Sequence, residues 1–393
     1  SAAVAAARMG AETALVHNRP VVGGNASREL GVGIAGAARK HSNARESGII
    51  EEAGRIKAHR DSPRMTEPFR VLTEAEDNLD VFRNMHVTDA GTEDGRITSL
   101  RACNTVDNTR HRYRGRFFVD ATGDGWLGHY AGADSRLGRE AQDEFDESLA
   151  PKKSDDITMS GCIMRMCCGY EATHTGEKVE YKPPEWAPTF PTKEKFARHI
   201  RGVSRGSWWL EHEGTIDDLW DPEKARDELI RISLGYWDYI KNISEYQDEA
   251  ARYRLSLVPV GHAKRETRRL MGDYIMTQND MQDGRRFSDR ISYGGWPLDV
   301  HHPEGIYSGE EGPFYCNPHV PIYTVPYRSL YSRNVNNLFL AGRDMSVTHI
   351  ALGTVRVQST LATFGQAVGT AASMCLERNT NPRGIYRDHI KDL

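Results

Sequence analysis

Residues 117–128 have the sequence FFVDATGDGWLG, and this stretch decides the fold class. An apolar run ends at Asp120 and passes straight into small residues and glycines, which predicts a buried strand followed by a tight turn. Small residues let the backbone approach a ligand at the carboxyl end of a strand, where open α/β sheets bind ligands. The stretch therefore predicts an α/β protein with a ligand site here; an ordinary strand–turn unit is the alternative.

Similar strand ends lie near both termini. In RPVVGGNAS (residues 19–27), the pair Gly23–Gly24 would let the backbone approach a phosphate, although paired glycines also occur in ordinary loops. In NNLFLAGRDMSVTHIALGTVRVQSTLATFGQAVGTAA (residues 336–372), an apolar strand ends just before Gly342, and a helix of small residues follows. Asp344 suits a hydroxyl-rich chain such as ribitol, and a helix N-terminus could stabilise negative charge on a ring.

The first twenty residues, SAAVAAARMGAETALVHNRP, predict a helix followed by a strand. Residues 1–9 favour a helix that Gly10 ends, and residues 13–16 form a short buried strand. This order is the second half of a βαβ unit, so we expect the first strand, its glycine turn and any targeting segment to precede Ser1.

Length, charge and composition narrow the class of protein. A chain of 393 residues corresponds to two or three folding units. The net charge of -4 argues against a dedicated nucleic-acid binder, and no apolar run is long enough to predict a membrane span. The six cysteines show no disulfide framework, so we expect buried free thiols, with a redox or metal role for Cys167–Cys168 as the alternative. A reducing, cytoplasmic location is favoured, export stays open, and a homo-oligomer is compatible with the sequence.

The composition changes twice along the chain. Residues 1–126 and 331–393 are rich in Gly and Ala, whereas residues 127–330 are rich in Trp, Tyr, Pro and charge. We therefore predict a Rossmann-like dinucleotide-binding domain, with a parallel sheet and a small β meander, built from the two outer segments. The middle segment is predicted to be an inserted α+β substrate domain.

Local patterns predict several further elements. Helices are expected around Glu46–Arg60, over Pro222–Lys241 and, with amphipathic spacing, over Ser244–Tyr253. Residues 66–126 are expected to alternate short strands with turns, at Gly91–Thr92 and at Asp107–Asn108.

Taken together, these motifs resemble the flavoproteins of glutathione-reductase type, which have two dinucleotide-binding domains. The closer resemblance is to the FAD-dependent oxidoreductase family, several of whose bacterial members are labelled xanthan lyase. The matching strings are spread over nearly the whole chain: RPVVGGNAS, NARESGIIEEAGR, DATGDGWLGHYAGA, KRETRRLMGDY, YGGWPLDVHHPEG and VPYRSLYSRNVNNLFLAGRDMSVTHIALGTVRVQSTLATFGQAVGTAA.

The resemblance implies that FAD is the cofactor and that residues of the three motifs contact it. The implied contacts are Arg19, Gly23, Gly24, Asn25 and Ser27 on the phosphate and flavin side, Val87 through its backbone at the adenine, Ala121, Thr122, Gly123 and Asp124 over the dinucleotide, Gly342, Arg343 and Asp344 at the ribityl or pyrophosphate group, and Gly353, Thr354 and the helix from Val357 at the flavin ring. The chain departs from the family at His17, which stands where an acid usually holds the adenosine ribose. His17 or Asn18 could hydrogen-bond there, and an exposed loop histidine is the alternative.

Candidate catalytic groups lie near the loops expected to face the flavin. His349 is the preferred general base, because imidazole titrates near neutrality; His302 and His301 are second choices, and Arg356 flanks the same segment. The run VGHAKRETRRLMGDY (residues 260–274), which includes Arg265, could hold an anionic group or could form a solvated charged helix face. Adjacent loop histidines rarely ligate one ion, so no metal site is expected.

The expected substrate is small or sugar-like. Aromatic rings beside carboxylates commonly hold sugars, and such pairs occur here at Trp208, Trp209 and Glu211 and at Trp296; core tryptophans are the alternative. The sequence predicts an FAD-dependent oxidoreductase that takes a hydride from a polar, carbohydrate-derived alcohol and passes electrons to an unidentified acceptor. The alternatives are a polysaccharide lyase of a carbohydrate-utilisation pathway and a non-catalytic relative that has lost FAD binding.

Overall fold

The structure is a computed structural model that describes residues 1–62, 64–159, 161–163, 169–192 and 198–393. The cysteine pair at residues 167 and 168 lies outside the described residues. The three cysteines whose side chains are described are free thiols; Cys375 is buried, as expected, whereas Cys103 and Cys316 are only half-buried. Burial raises the pKa of Cys375 to about 12.

The described part of the chain alternates helices and short strands. The helices are α1 Ala2–Arg8, α2 Ile49–His59, α3 Thr66–Glu74, α4 Trp126–Tyr130, α5 Gln142–Phe145, α6 Pro222–Asp238, α7 Gln247–Ala250, α8 Gln278–Gln282, α9 His349–Val355, α10 Gln358–Glu377 and α11 Pro382–Gly384. The strands are β1 Thr13–Val16, β2 Leu79–Phe82, β3 Met85–Glu93, β4 Arg96–Asn104, β5 Arg110–Arg114, β6 Phe118–Asp120, β7 Ser135–Arg136, β8 Cys162–Ile163, β9 Glu171–His174, β10 Tyr253–Leu257, β11 His262–Ala263, β12 Arg269–Leu270, β13 Arg290–Gly294, β14 Val300–His301, β15 Phe314–Cys316, β16 Tyr323–Pro326 and β17 Leu338–Leu340.

Two pairs of parallel strands and one antiparallel meander define the α/β part. Strand β1 runs parallel to β2, and β6 runs parallel to β17, with Phe118 opposite Leu338. Strands β3, β4 and β5, which lie between β2 and β6 in the sequence, form the antiparallel meander. The predicted fold class, a Rossmann-like α/β fold with a small β meander, is confirmed.

The first helix packs against the long C-terminal helix because both carry small residues. In α1 the side chains of Val4–Ala7 are buried. A side chain at Gly369 of α10 would lie 2.1 Å from the carbonyl oxygen of Ala2, so glycine permits this close approach. The first and the last long helix of the chain are therefore in direct contact.

The middle of the chain combines helix α6 with short antiparallel strand pairs. An aromatic core that includes Trp209, Tyr236 and Trp237 lies between α6 and the pair β9–β10. Other side chains of the middle segment, such as Leu270 and Tyr323, pack in the same core as β6 and β17. The described middle segment is thus α+β, as expected, whereas the boundaries at residues 126 and 330 stay a prediction.

Three local predictions were wrong. Residues 66–74 form α3, although only strands and turns were expected there. Gly91–Thr92 is a bulge within β3, and the turn falls instead at Asp94–Gly95, where both residues have positive φ. The amphipathic stretch from Ser244 forms only the four-residue α7, because Tyr253 pairs with His174 as a strand.

Candidate functional site

The loops that follow β6 and β17 meet at the carboxyl ends of these strands. The N–H of Ala341 donates to the carbonyl oxygen of Asp120 at 2.8 Å. A side chain at Gly342 would lie 3.3 Å from the backbone nitrogen of Gly123, and one at Gly123 would lie 3.2 Å from the guanidinium of Arg343. Two motifs that are far apart in sequence therefore form one surface, on which glycine is needed for space.

Asp124 is the centre of an ionic network at this surface. Its carboxylate accepts hydrogen bonds from Lys264 Nζ at 2.9 Å, from the Thr267 hydroxyl at 2.9 Å and from Arg343. Burial alone would raise the pKa of Asp124, but the charges of Arg343 and Lys264 outweigh it and hold the pKa below its usual value. The side chain of Asn25 donates to the carbonyl oxygen of Lys264 at 3.3 Å, so the N-terminal loop reaches the same place.

Asp344 lies beneath this surface as a completely buried carboxyl group. Its carboxyl group hydrogen-bonds the side chain of Asp120 and its own backbone N–H. Burial raises its pKa well above the usual value, and the nearby Asp120 adds to this shift. Asp120 itself is satisfied, because it accepts hydrogen bonds from the backbone of Thr122 and of Gly128. Asp344 is therefore a completely buried strand-end carboxyl group that is paired with the neighbouring carboxyl group of Asp120.

The N-terminal glycine loop has a backbone conformation that favours glycine. Gly23 has φ of 117° and Gly24 has φ of 51°. A side chain at Gly23 would lie 2.7 Å from the ring of Phe69, whereas Gly24 faces open space. Arg19 is paired with Glu29 at 3.0 Å and lies half exposed on the loop surface. The backbone of Gly24 thus has open space beside it for a ligand, whereas Arg19 already has a carboxylate partner.

The other predicted contacts of the N-terminal part lie around β1. Ser27 is buried, and its hydroxyl accepts the N–H of Glu29 at 3.3 Å. The Nε2 atom of His17 hydrogen-bonds the carbonyl oxygen of Val21 at 2.9 Å, and burial lowers the pKa of this histidine. Val87 lies on β3 beside the end of β1. His17 is therefore a half-buried, neutral histidine rather than an exposed loop residue.

His349 begins helix α9 inside a buried ionic cluster. Its Nδ1 atom lies 2.7 Å from Glu266 Oε2, and its backbone N–H donates to Glu140 at 2.9 Å. Arg269, which has no exposed surface, bridges Glu140 at 2.9 Å and Glu266 at 3.3 Å. Burial alone would raise the pKa of Glu266, but His349 and Arg269 hold it below its usual value. Glu266 is thus a carboxylate, and Nδ1 of His349 donates its proton to it.

The three candidate histidines differ in whether a ring nitrogen is left without a hydrogen-bond partner among the described residues. His301 contacts Glu211 through Nδ1 at 2.7 Å and Asp299 through Nε2 at 3.1 Å. His302 has both nitrogens engaged as well, by a carboxylate and by a backbone N–H. For Nε2 of His349, the described residues provide no hydrogen-bond partner. Among the three, only His349 keeps a ring nitrogen available to a ligand.

The carboxylates around His301 are held by two arginines. Arg265 forms an ion pair with Glu211 at 2.9 Å, and Arg356 donates to the carbonyl oxygen of Asp299 at 2.9 Å. Burial alone would raise the pKa of Glu211, but the charges of His301 and Arg265 keep it low. We call the four charged residues around His301, namely Glu211, Asp299, Arg265 and Arg356, the polar wall.

The predicted sugar-binding tryptophans lie in different surroundings. Trp209 is buried in the aromatic core. Trp208 is half-buried and meets the ring of His301 edge to face, with 5.6 Å between the centroids. Trp296 donates from Nε1 to Asp299 at 3.0 Å, and Lys40 lies over its ring. Trp208 and Trp296 therefore adjoin the polar wall, whereas Trp209 shows no free ring face.

The segment from residue 296 to residue 300 packs against α9. The hydroxyl of Thr354 donates to the carbonyl oxygen of Trp296, and a side chain at Gly353 would lie 2.9 Å from Val300. The two residues expected to approach the flavin ring thus hold the loop that carries Asp299.

The charged run at residues 260–274 is not a solvated helix face, so that interpretation was wrong. Only β11 and β12 are regular there, and the side chains from Arg265 to Arg269 are buried. The run supplies Lys264 and Glu266 to two different networks. Glu140, the partner of Arg269, lies more than a hundred residues away in the sequence, so no local spacing marks the pair.

The family of the chain follows from its sequence as a whole. The family model described as FAD dependent oxidoreductase matches residues 1–393, so the chain belongs to this family and FAD is its cofactor. No curated protein matches the sequence. No described helix is both long and apolar enough to cross a membrane.

Solved structures similar to this chain include several flavoproteins. The myxobacterial chondrochloren halogenase CndH, described as a variant of FAD-dependent halogenases, is 11% identical; the match covers 98% of this chain and 74% of that chain, with a TM-score of 0.43. An E. coli quinol fumarate reductase FrdA is 12% identical over 100% and 72% of the two chains, with a TM-score of 0.34. Pyridoxine 4-oxidase from Mesorbium loti is 11% identical over 96% and 70%, with a TM-score of 0.27. Identities this low assign no residue and no substrate to this chain.

Proposed function

We propose that this FAD-dependent oxidoreductase oxidises a polar, carbohydrate-derived alcohol and that His349 is its general base. The proposal depends on the hydrogen bonding of the two ring nitrogens of His349. Its Nδ1 atom is held by the Glu266 carboxylate at 2.7 Å, while Nε2 has no partner among the described residues. A neutral imidazole oriented in this way presents a lone pair to the substrate.

The residues at the strand ends fit FAD as a ligand. Asp344 is a completely buried carboxyl group, and glycine leaves space beside it, since an added side chain at Gly342 would lie 2.4 Å from its Oδ1 atom. A carboxyl group suits the hydroxyls of a ribityl chain, and bare backbone suits a phosphate. The proposed FAD contacts are Arg19, Gly23, Gly24, Asn25, Ser27, Val87, Ala121, Thr122, Gly123, Asp124, Gly342, Arg343, Asp344, Gly353 and Thr354. Bound FAD supplies the two-electron acceptor for a hydride.

The buried cluster prepares His349 to hold a proton. When Nε2 takes the hydroxyl proton of the alcohol, the ring becomes a cation, and Glu266 stabilises that cation through Nδ1–H. Arg269 and the backbone N–H of Met159, at 2.7 Å, fix the Glu266 carboxylate in place. The cluster therefore orients the ring of the base toward the substrate.

The polar wall around His301 suits a substrate with several hydroxyls. Carboxylates at Glu211 and Asp299 accept hydrogen bonds, and Arg265 and Arg356 donate them. The half-buried ring of Trp208 can cover an apolar sugar face. Because both nitrogens of His301 contact carboxylates, we assign His301 to positioning this wall and not to proton abstraction.

The test is flavin reduction by polyols and sugars under anaerobic conditions, followed as loss of the visible flavin absorbance. For His349→Asn, we expect FAD to stay bound and the reduction rate to fall by about 10²–10⁴-fold, the usual contribution of a general base. The matched control is His59→Asn, an exposed histidine at the end of α2, which should reduce at the wild-type rate. Wild-type reduction rates in His349→Asn would overturn the assignment of the base.

The same experiment separates the alternatives. A polysaccharide lyase would form an unsaturated sugar product without bleaching the flavin. A non-catalytic relative would neither bleach the flavin nor cleave a polysaccharide. Either result across the polyol and sugar panel would overturn the proposed reaction.

A further inference from the structure

Two histidines and one aspartate meet in the middle segment, away from the base. The Asp218 Oδ1 atom lies 2.9 Å from His212 Nε2 and 3.2 Å from His262 Nε2. All three ligand atoms lie within 4.8 Å of one another. His212 and Asp218 are almost completely buried, and the side chain of His262 is only 8% exposed. Three metal-ligating side chains therefore converge in the interior.

The hydrogen bonds of His212 define which ring nitrogen carries the proton. Its Nδ1 atom lies 2.6 Å from the carbonyl oxygen of Glu213 and therefore donates to it. Its Nε2 atom accepts the backbone N–H of Gly161 at 3.1 Å. With Nδ1 donating to Glu213, Nε2 is the ring nitrogen that faces the Asp218 carboxylate. The two atoms lie 2.9 Å apart, so a cation, either a proton or a metal ion, lies between them.

In the described part of the chain, no group other than the two histidines compensates the negative charge of the Asp218 carboxylate. No hydrogen-bond donor apart from the two histidines approaches either of its oxygens. The ring of His262 likewise makes no hydrogen bond to another described residue. An isolated buried carboxylate is costly, so buried charges are normally paired or coordinate a metal.

We infer that His212, Asp218 and His262 bind a divalent first-row transition metal ion, with Zn²⁺ as the reference case. Imidazole nitrogen and carboxylate oxygen are common ligands of such ions. Bonds of about 2.0–2.1 Å in a tetrahedral site place ligand atoms roughly 3.3 Å apart. The two distances to Asp218 are close to this value, and small movements complete the geometry.

The surroundings show the features of a metal-binding histidine. A ligating histidine usually donates its other N–H to a backbone carbonyl, as His212 does to Glu213. A side chain at Gly161 would lie 2.2 Å from His262 Nε2, so glycine keeps the ring accessible. Coordination uses the lone pair that now accepts the Gly161 N–H, and this N–H must turn away. Three protein ligands leave a fourth position for water.

A metal ion here would fix both neighbouring networks. Glu211, which contacts His301, precedes His212 directly, and Lys264, which contacts Asp124, follows His262 by two residues. The ion would therefore join the segments that carry the polar wall and the strand-end network.

The experiment measures metal binding by the whole chain. The protein is treated with a chelator, dialysed and titrated with Zn²⁺ against a chromophoric competitor, and a Co²⁺-substituted sample is examined by visible absorption. We expect roughly one ion per chain in the wild type. Asp218→Asn and His262→Gln should each weaken binding by more than about 100-fold, since even a second-shell partner is worth 10–100-fold. The control His174→Gln changes an exposed histidine on β9 and should bind as the wild type does.

Circular dichroism before and after titration verifies that each variant is folded, and the Gln and Asn substitutions preserve side-chain volume. A wild type that binds neither Zn²⁺ nor Co²⁺ overturns the inference, and the cluster is then a proton-bridged His212–Asp218 ion pair. Equal binding by wild type, Asp218→Asn and His262→Gln also overturns it. A thiolate charge-transfer band in the Co²⁺ sample assigns the ion to cysteines and has the same consequence.

Discussion

Replacing Arg269 by Met should destabilise the protein more than any loss of a surface ion pair. The Arg269 guanidinium is completely buried and interacts with Glu140, Glu266 and the carbonyl oxygens of Gly138 and Val347. Methionine fills much of the volume of the arginine but donates no hydrogen bond. The variant therefore leaves two buried carboxylates without their shared cation.

The magnitude follows from the loss of one partner of a buried ion pair, which costs about 3–5 kcal/mol. At about 1.4 kcal/mol per tenfold change, the folding equilibrium constant should fall by roughly two to four powers of ten. The double variant Arg269→Met with Glu140→Gln should lose less than the sum of the two single variants, by about 0.5–3 kcal/mol, because Glu140 is then no longer charged.

The assay is urea unfolding followed by circular dichroism, with wild-type, single and double variants side by side. The control is Arg231→Met, which removes a half-exposed arginine paired with Glu228 on α6 and should cost less than about 1 kcal/mol. If Arg269→Met costs no more than Arg231→Met, or if the double variant is simply additive, the buried cluster does not depend on this cation.

Two further predictions concern single positions. Gly342→Ala should weaken FAD binding, measured by flavin fluorescence titration, because the added methyl group would lie 2.4 Å from Asp344 Oδ1; Gly33→Ala, which faces open space, should bind FAD as the wild type does. Burial raises the pKa of Glu147, so native protein binds this proton more tightly than unfolded protein and loses stability as pH rises through the raised value. Glu147→Gln should therefore be more stable than wild type in urea at about pH 7, with a difference that shrinks toward about pH 4, and the exposed control Glu12→Gln should show no such trend. A Glu147→Gln stability curve parallel to that of the wild type would contradict this reasoning.

Local pattern predicted the regular elements best where neighbours in sequence decide the structure. The Ala-rich start predicted α1, which ends at Arg8, two residues before Gly10. The four residues from Thr13 form the predicted strand β1, but none of them is fully buried, so that part of the prediction was wrong. Prediction failed at residues 244–253, where pairing of Tyr253 with the distant His174 ended the helix after α7. It also failed at residues 260–274, because charge normally indicates exposure and the partners that make burial tolerable are distant.

The candidate site shows the same division. His349 was singled out from its residue type and its place after a strand end, but Glu266, which makes its Nε2 atom available, was not assigned to it. His301 and His302 were equally good candidates in the sequence, and only the carboxylates and backbone groups around them show that their nitrogens are engaged.

The sequence by itself determined the family, the cofactor and the three glycine-bearing motifs, because the residues of each motif lie next to each other in the chain. The tertiary structure alone decided which charges are buried together. Asp124 with Arg343, Glu266 with His349, and Asp218 with His212 and His262 are joined by folding, because a buried charge is stable only beside a partner and sequence spacing does not determine which partner folding supplies.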